Sequence, residues 1–143
     1  MKIKNVDVKG LAEFLTTEKL VKKQSRMRTK FLKLLNEAIN ETEGFRKELL
    51  EKYSKKDDEG NALIENNSYV LEDVETFNKE YVELMNEDFI IDETESKREM
   101  LQNIKRILDN TETEFEGAKA FQYDTWCEAF ENLKYDDKSE SPE

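Results

Sequence analysis

The chain has 143 residues, 40% of them charged and 36% hydrophobic, with 34 acids against 23 bases and a formal net charge of −11. It holds no histidine, one cysteine (Cys127) and one proline (Pro142). Those counts exclude a Ser-His-Asp triad, a histidine general base, an imidazole zinc site, an internal disulfide and a Cys-x-x-Cys cluster. Leu, Ile, Val and Phe number 14, 7, 6 and 8, above the roughly 20% below which high net charge predicts disorder. There is no run of 18 apolar residues, and the first residues, Met-Lys-Ile-Lys-Asn-Val-Asp, have no apolar signal core. The expectation is a soluble, folded protein of a reducing compartment, with thin hydrophobic faces.

In chain order, Lys2-Ile3-Lys4 reads as a short edge strand. Asn5 or Asp7 can cap a first helix, whose apolar positions Val8, Leu11, Ala12 and Leu15 follow i, i+3, i+4, i+7. Thr16 or Thr17 offers the next N-cap, and a long helix is predicted from Glu18 to about Ser54. Its positions Leu20, Gln24, Met27, Phe31, Leu34 and Ala38 step by 4 and 3 like a coiled-coil seam. At 1.5 Å per residue this helix would be roughly 55 Å long, so it should bend near Gly44 or protrude. Residues 61–65 and 68–72 flank Asn66-Asn67, a hairpin signal, because asparagine tolerates the left-handed conformation of tight turns. Asp73 caps a helix carrying Val74, Phe77, Tyr81, Leu84 and Met85, and residues 88–92 read as a third short strand. A helix from about Thr94 to Asn110 buries Met100, Leu101, Ile104, Ile107 and Leu108. Thr113 and Glu116 form a capping-box pattern for the last helix. The fold class is therefore α+β and mostly helical: one long N-terminal helix, further amphipathic helices, and a small antiparallel sheet of three or four strands with a hairpin. Residues 1–134 are expected to form a single domain, followed by an acidic, disordered tail over 135–143.

Charge is divided unevenly. Residues 1–33 hold ten bases against three acids, a balance of +7, whereas residues 34–143 hold thirteen against thirty-one, a balance of −18. Lys19, Lys23, Arg26, Lys30 and Lys33 advance by 4, 3, 4 and 3, so they line one face of the long helix, roughly 110° from its apolar seam. This stripe neutralises acids of the same chain or is simply solvated, or else it docks an acidic protein or a phosphate backbone. Glu112, Glu114 and Glu116 are the densest local acids and represent the negative surface.

Other motifs fail on chemistry. Asp57-Asp58-Glu59-Gly60 suggests a calcium loop, but with Gly60 at loop position 6, Lys55 and Asn66 fall where acids are required. Asp92 with Glu95-Ser96-Lys97 has nuclease-like spacing, yet these residues lie in a polar stretch better explained as a helix start. Phe115, Trp126 and Phe130 fit a packing face, while Phe121 and Tyr123 point elsewhere. Cys127 has no base to activate it. No catalytic residue, metal site or cofactor is expected.

The chain resembles a family of small, functionally uncharacterised phage and prophage proteins of Gram-positive bacteria. The resemblance rests on Lys2-Ile3-Lys4-Asn5, on Ser25 through Leu35, on Lys52-Tyr53 with Asp57 through Gly60, on Tyr69 to Asp73 and on Phe77 through Leu84, and it spans about residues 2–133. It implies a phage-encoded protein acting in the host cytoplasm or with the virion, and supplies no catalytic residues. The expected function is non-enzymatic: an acidic inhibitor of a host defence machine, such as an anti-CRISPR protein, that binds a host or phage protein, a nucleic-acid-binding effector being one candidate. The alternative is a virion or tail-assembly accessory that self-associates, as a homodimer, through the long helix. Membrane binding is not expected, and direct nucleic-acid binding is disfavoured because an acidic surface repels phosphates.

Overall fold

The structure is a computed structural model and describes residues 1–135; of the tail expected over 135–143, residues 136–143 lie outside the described residues. In chain order the elements are β1 (Lys2–Lys4), α1 (Asn5–Thr17), α2 (Lys22–Tyr53), β2 (Ile64–Glu65), β3 (Ser68–Tyr69), α3 (Val74–Met85) and β4 (Asp88–Ile90). A 3-10 turn over Glu95–Lys97 leads into α4 (Arg98–Asn110), and α5 (Ala118–Glu131) follows. The protein is a mostly helical α+β fold, as its periodicity predicts. Tyr135, assigned to the tail by composition, instead packs its ring over the Arg98 guanidinium at 5.0 Å and donates its hydroxyl to the Thr94 carbonyl.

The strands do not make one sheet. β1 pairs antiparallel with β4, Ile3 opposite Phe89, and β2 pairs with β3 as a separate hairpin. Asn66 and Asn67 supply the turn at φ 52° and 63°, the two left-handed positions of a type I′ turn. The hairpin stands at the carboxyl end of α2, about 48 Å along a 32-residue helix, so it cannot reach the ladder beside α1.

The core gathers Val8, Leu11 and Leu15 of α1, Leu101, Ile104 and Leu108 of α4, and Trp126 and Phe130 of α5 around the first half of α2. On α2 the buried positions are Met27, Phe31, Leu35 and Ala38. They advance by 4, 4 and 3, close to the natural helical repeat of 3.6 and unlike the 3.5 of a coiled coil. Leu35 is therefore fully buried and Leu34, expected in the seam, only half-buried. Phe31 meets the Phe130 ring at 5.8 Å, so at this point α2 packs against α5 of the same chain.

Beyond Ala38 no α2 residue is buried, although the helix runs through Gly44 unbroken. Its second half carries α3, which turns in Phe77 and Leu84. With the hairpin these elements form an arm whose buried side chains lie outside the main core. Asp73 caps α3 as expected, accepting from the Thr76 amide at 3.0 Å. That bond holds its carboxyl below the usual range.

The largest departure from expectation is the joint between α1 and α2. Residues 18–21 leave the helix, and Lys22 sits at φ 51°, a left-handed conformation costly for a side-chain-bearing residue. Three anchors impose it. The Glu18 carboxylate accepts from the Thr111 and Thr113 hydroxyls, at 2.7 Å each. Arg28 donates to the Leu15 carbonyl at 3.0 Å and to the Glu18 carbonyl, placing a cation at the carboxyl end of α1 where the helix dipole favours it. Thr16 and Thr17 do not cap α2; their hydroxyls bond back to the Ala12 and Phe14 carbonyls. Neither Asn5 nor Asp7, the two caps offered for α1, sits at its N-cap: the helix begins at Asn5, whose side-chain amide donates to the Leu84 carbonyl at 2.9 Å.

Candidate interaction surfaces

Four of the five basic-stripe residues, Lys23, Arg26, Lys30 and Lys33, lie on α2 and are exposed. Lys19 does not continue the stripe, because the chain has left the helix there. It flanks Val21, which is 71% exposed at the joint. Lys23 forms an ion pair with Glu99 in the first turn of α4, whereas Arg26, Lys30 and Lys33 have no ion-pair partner among the described residues. Neutralisation within the chain therefore accounts for one of the four cations on the helix.

Glu112, Glu114 and Glu116 are exposed and lie on the connection from α4 to α5, not on a helix. The expected capping box is absent: α5 begins after Gly117 at φ 59°, a conformation suited to glycine, and Thr113 holds Glu18 instead. The segment alternates. Thr111 and Thr113 bond to Glu18, and Phe115 stacks on Tyr123 at 4.4 Å and meets Phe14 at 5.6 Å. The intervening glutamates face solvent. With Thr111, Thr113 and Phe115 engaged, the three exposed carboxylates all lie on this one connection.

The aromatic group divides differently from expectation. Trp126 and Phe130 are buried, and the Trp126 indole donates to the Asp7 carbonyl at 3.1 Å. Tyr123, expected to point away, belongs to the cluster: it stacks on Phe115 and donates its hydroxyl to the Leu108 carbonyl. Burial, with Cys127 and Asp109 nearby, pushes its phenol up to about 12. Phe121 alone faces water, at 79% exposure. Burial also raises the Cys127 thiol, with Asp109, Asp124 and Glu131 acting in the same direction, which leaves it a poor nucleophile at neutral pH.

The two motifs with catalytic or metal-like spacing are turns. Asp57 Oδ1 accepts from the amides of Glu59 and Asn61 at 2.9 and 3.0 Å, with Gly60 at φ 85°. Glu95 is held by Arg98 through two bonds of 2.8 and 2.9 Å, which lower its pKa. Among the described residues no three His, Cys, Asp or Glu side chains are grouped as metal ligands, and no helix is long and apolar enough to cross a membrane. In comparison with known proteins, the chain matches no family model, no curated protein and no solved structure.

Proposed function

We propose that the protein is a non-catalytic, phage-encoded inhibitor of a host defence machine, acting in the host cytoplasm by binding a nucleic-acid-binding effector through charge. One observation carries this reading: Glu112, Glu114 and Glu116 are three exposed carboxylates on a segment held by the Glu18 bonds and by Phe115. A surface whose carboxylates sit on a segment already held in place loses little entropy when it meets a basic cleft built for a phosphate backbone. The resemblance of residues 2–133 to phage and prophage proteins supports the phage origin, and the absence of histidine from the sequence supports binding over turnover.

The test is a pair of charge reversals in a host carrying an active CRISPR system, with effector capture and plasmid interference as readouts. Glu112→Lys, Glu114→Lys and Glu116→Lys together should abolish capture and restore interference. Lys23→Glu, Arg26→Glu and Lys30→Glu together should leave both unchanged. Binding should weaken steeply between 0.1 and 1 M salt as the Debye length falls from about 10 Å to about 3 Å. Capture indifferent to the acidic reversals and to salt would sink the reading.

A further inference from the structure

Two shallow clefts meet on the arm, and Phe45, Leu84 and Glu87 line both of them. One, of about 290 Å³, reaches Ala38 and Phe89; the other, of about 460 Å³, reaches Leu49. Of the shared residues two are apolar, and Phe45 is 46% exposed while Leu84 is buried beneath it. Phe45 and Leu49 are one turn apart, so together they form a ridge along α2.

The rim of this groove is acidic. Glu37 and Glu41 edge one end, and Glu48, Glu80 and Glu83 the other. The one base in the lining is Lys52, and its ammonium lies over the Tyr53 ring at 5.2 Å. The Tyr53 hydroxyl and the Lys52 ammonium lie beside the Glu80 carboxylate, whose Oε2 is screened from solvent.

We propose that this groove docks a basic amphipathic helix of a partner protein, with apolar residues seated on Phe45, Leu49 and Leu84 and Lys or Arg side chains on the rim carboxylates. The surface is distinct from Glu112, Glu114 and Glu116, so the inference goes beyond the function proposed above. Charge complementarity selects the occupant. Nucleic acid and anionic lipid meet carboxylates on every side and are repelled. A neutral apolar helix could cover Phe45 but would leave the exposed rim carboxylates Glu48, Glu83 and Glu87 without a countercharge. A second copy of this chain offers a basic face on α2, but Met27 and Phe31 of that helix are turned into its own core, so it brings cations without apolar anchors. A helix carrying both lies beside α2 and α3 in the helix-in-groove mode, read through anchors at i, i+3 or i+4 and i+7.

The probe is a synthetic Leu/Lys amphipathic peptide of about 18 residues, titrated into the ¹⁵N-labelled full chain. The expected result is saturable binding with amide shifts confined to residues 37–52 and 80–90. Phe45→Asp should weaken it about tenfold or more, as should Glu83→Lys with Glu87→Lys. Phe45 is an exposed helix residue, so an unchanged circular-dichroism spectrum confirms that its variant folds. Reversing Glu112, Glu114 and Glu116 should leave peptide binding intact, which separates this inference from the proposed function. Equal binding of an Ala/Lys peptide of the same charge would overturn it, because charge alone would then suffice. Shifts centred away from the arm, or concentration-dependent self-association through Phe45 in the absence of peptide, would overturn it as well.

Discussion

Tyr123 shows how a residue gains a role that its place in the sequence does not reveal. Read along α5 it points away from Trp126 and Phe130, yet Phe115 arrives from the preceding connection and covers its ring. The phenol is thereby desolvated and tied to the Leu108 carbonyl, and its pKa rises to about 12. A tyrosine whose folded pKa exceeds its unfolded value of about 10 stabilises the fold fully below pH 10, and that contribution fades as pH rises toward 12. Ultraviolet titration of the five tyrosines should therefore show one ionising near pH 12. Tyr123→Phe should remove that step and reduce the loss of stability between pH 10 and 12. Ionisation of every tyrosine near pH 10 in the folded protein would contradict the packing described for Phe115.

At the scale of elements, local chemistry was legible where the deciding contacts lie within one or two turns. Asp73 three residues before Thr76, the paired asparagines of the hairpin, and the apolar spacing of α4 each specify their structure from neighbours alone. The basic stripe was legible for the same reason from Lys23 to Lys33, since one helical face needs only spacing. The start of α2 was not, because Glu18 is taken from the helix by Thr111 and Thr113, more than ninety residues away. One signal was present and outweighed: Thr-Glu-Thr-Glu-Phe-Glu over residues 111–116 has period two, which describes that segment better than the capping box read from Thr113 and Glu116. The arm groove had no such signal, since Phe45 and Leu84 come together only when α3 folds back on α2. Two glycines make the contrast measurable. Gly44 lies in an exposed helix interior with nothing within 4 Å of an added Cβ, so Gly44→Ala should stabilise by about 0.5–1 kcal/mol. At Gly10 the added Cβ would meet the Trp126 ring at 3.1 Å, and that ring is held by Phe14, Phe115 and its bond to Asp7. Gly10→Ala should therefore lower the urea midpoint despite the better helix propensity of alanine. Equal gains at both sites would show that Trp126 yields freely.

Across the whole molecule, burial and charge are both uneven. Residues 41–87 carry fourteen acids against six bases, a balance of −8 within a total of −11, and their buried apolar side chains, Phe77 and Leu84, are separate from the main cluster. Like charges there repel one another, while few apolar contacts oppose opening. Regions with thin cores unfold locally at lower free energy than the global transition, so the arm should open while the body stays folded. Native-state hydrogen exchange measured across a denaturant series reads this directly. Amides of α4, on Leu101, Ile104 and Leu108, should exchange only through global unfolding, and those of α3 through a cheaper opening. Substitution should then separate the two events. Phe31→Ala empties a fully buried site against Phe130 and should cost about 3–5 kcal/mol of global stability. Measured in α3, the same change should scarcely alter the cost of arm opening, because Phe31 touches neither Phe77 nor Leu84. Phe77→Ala should do the reverse, since it sits between α2 and α3 and stacks on Tyr81 at 5.8 Å. Added salt should raise the α3 opening free energy by screening the repulsion and change the α4 value less. If α3 and α4 amides instead merged at one free energy of opening, with Phe31→Ala and Phe77→Ala shifting both equally, the arm and the body would be a single cooperative unit and the groove between α2 and α3 would be as rigid as the core.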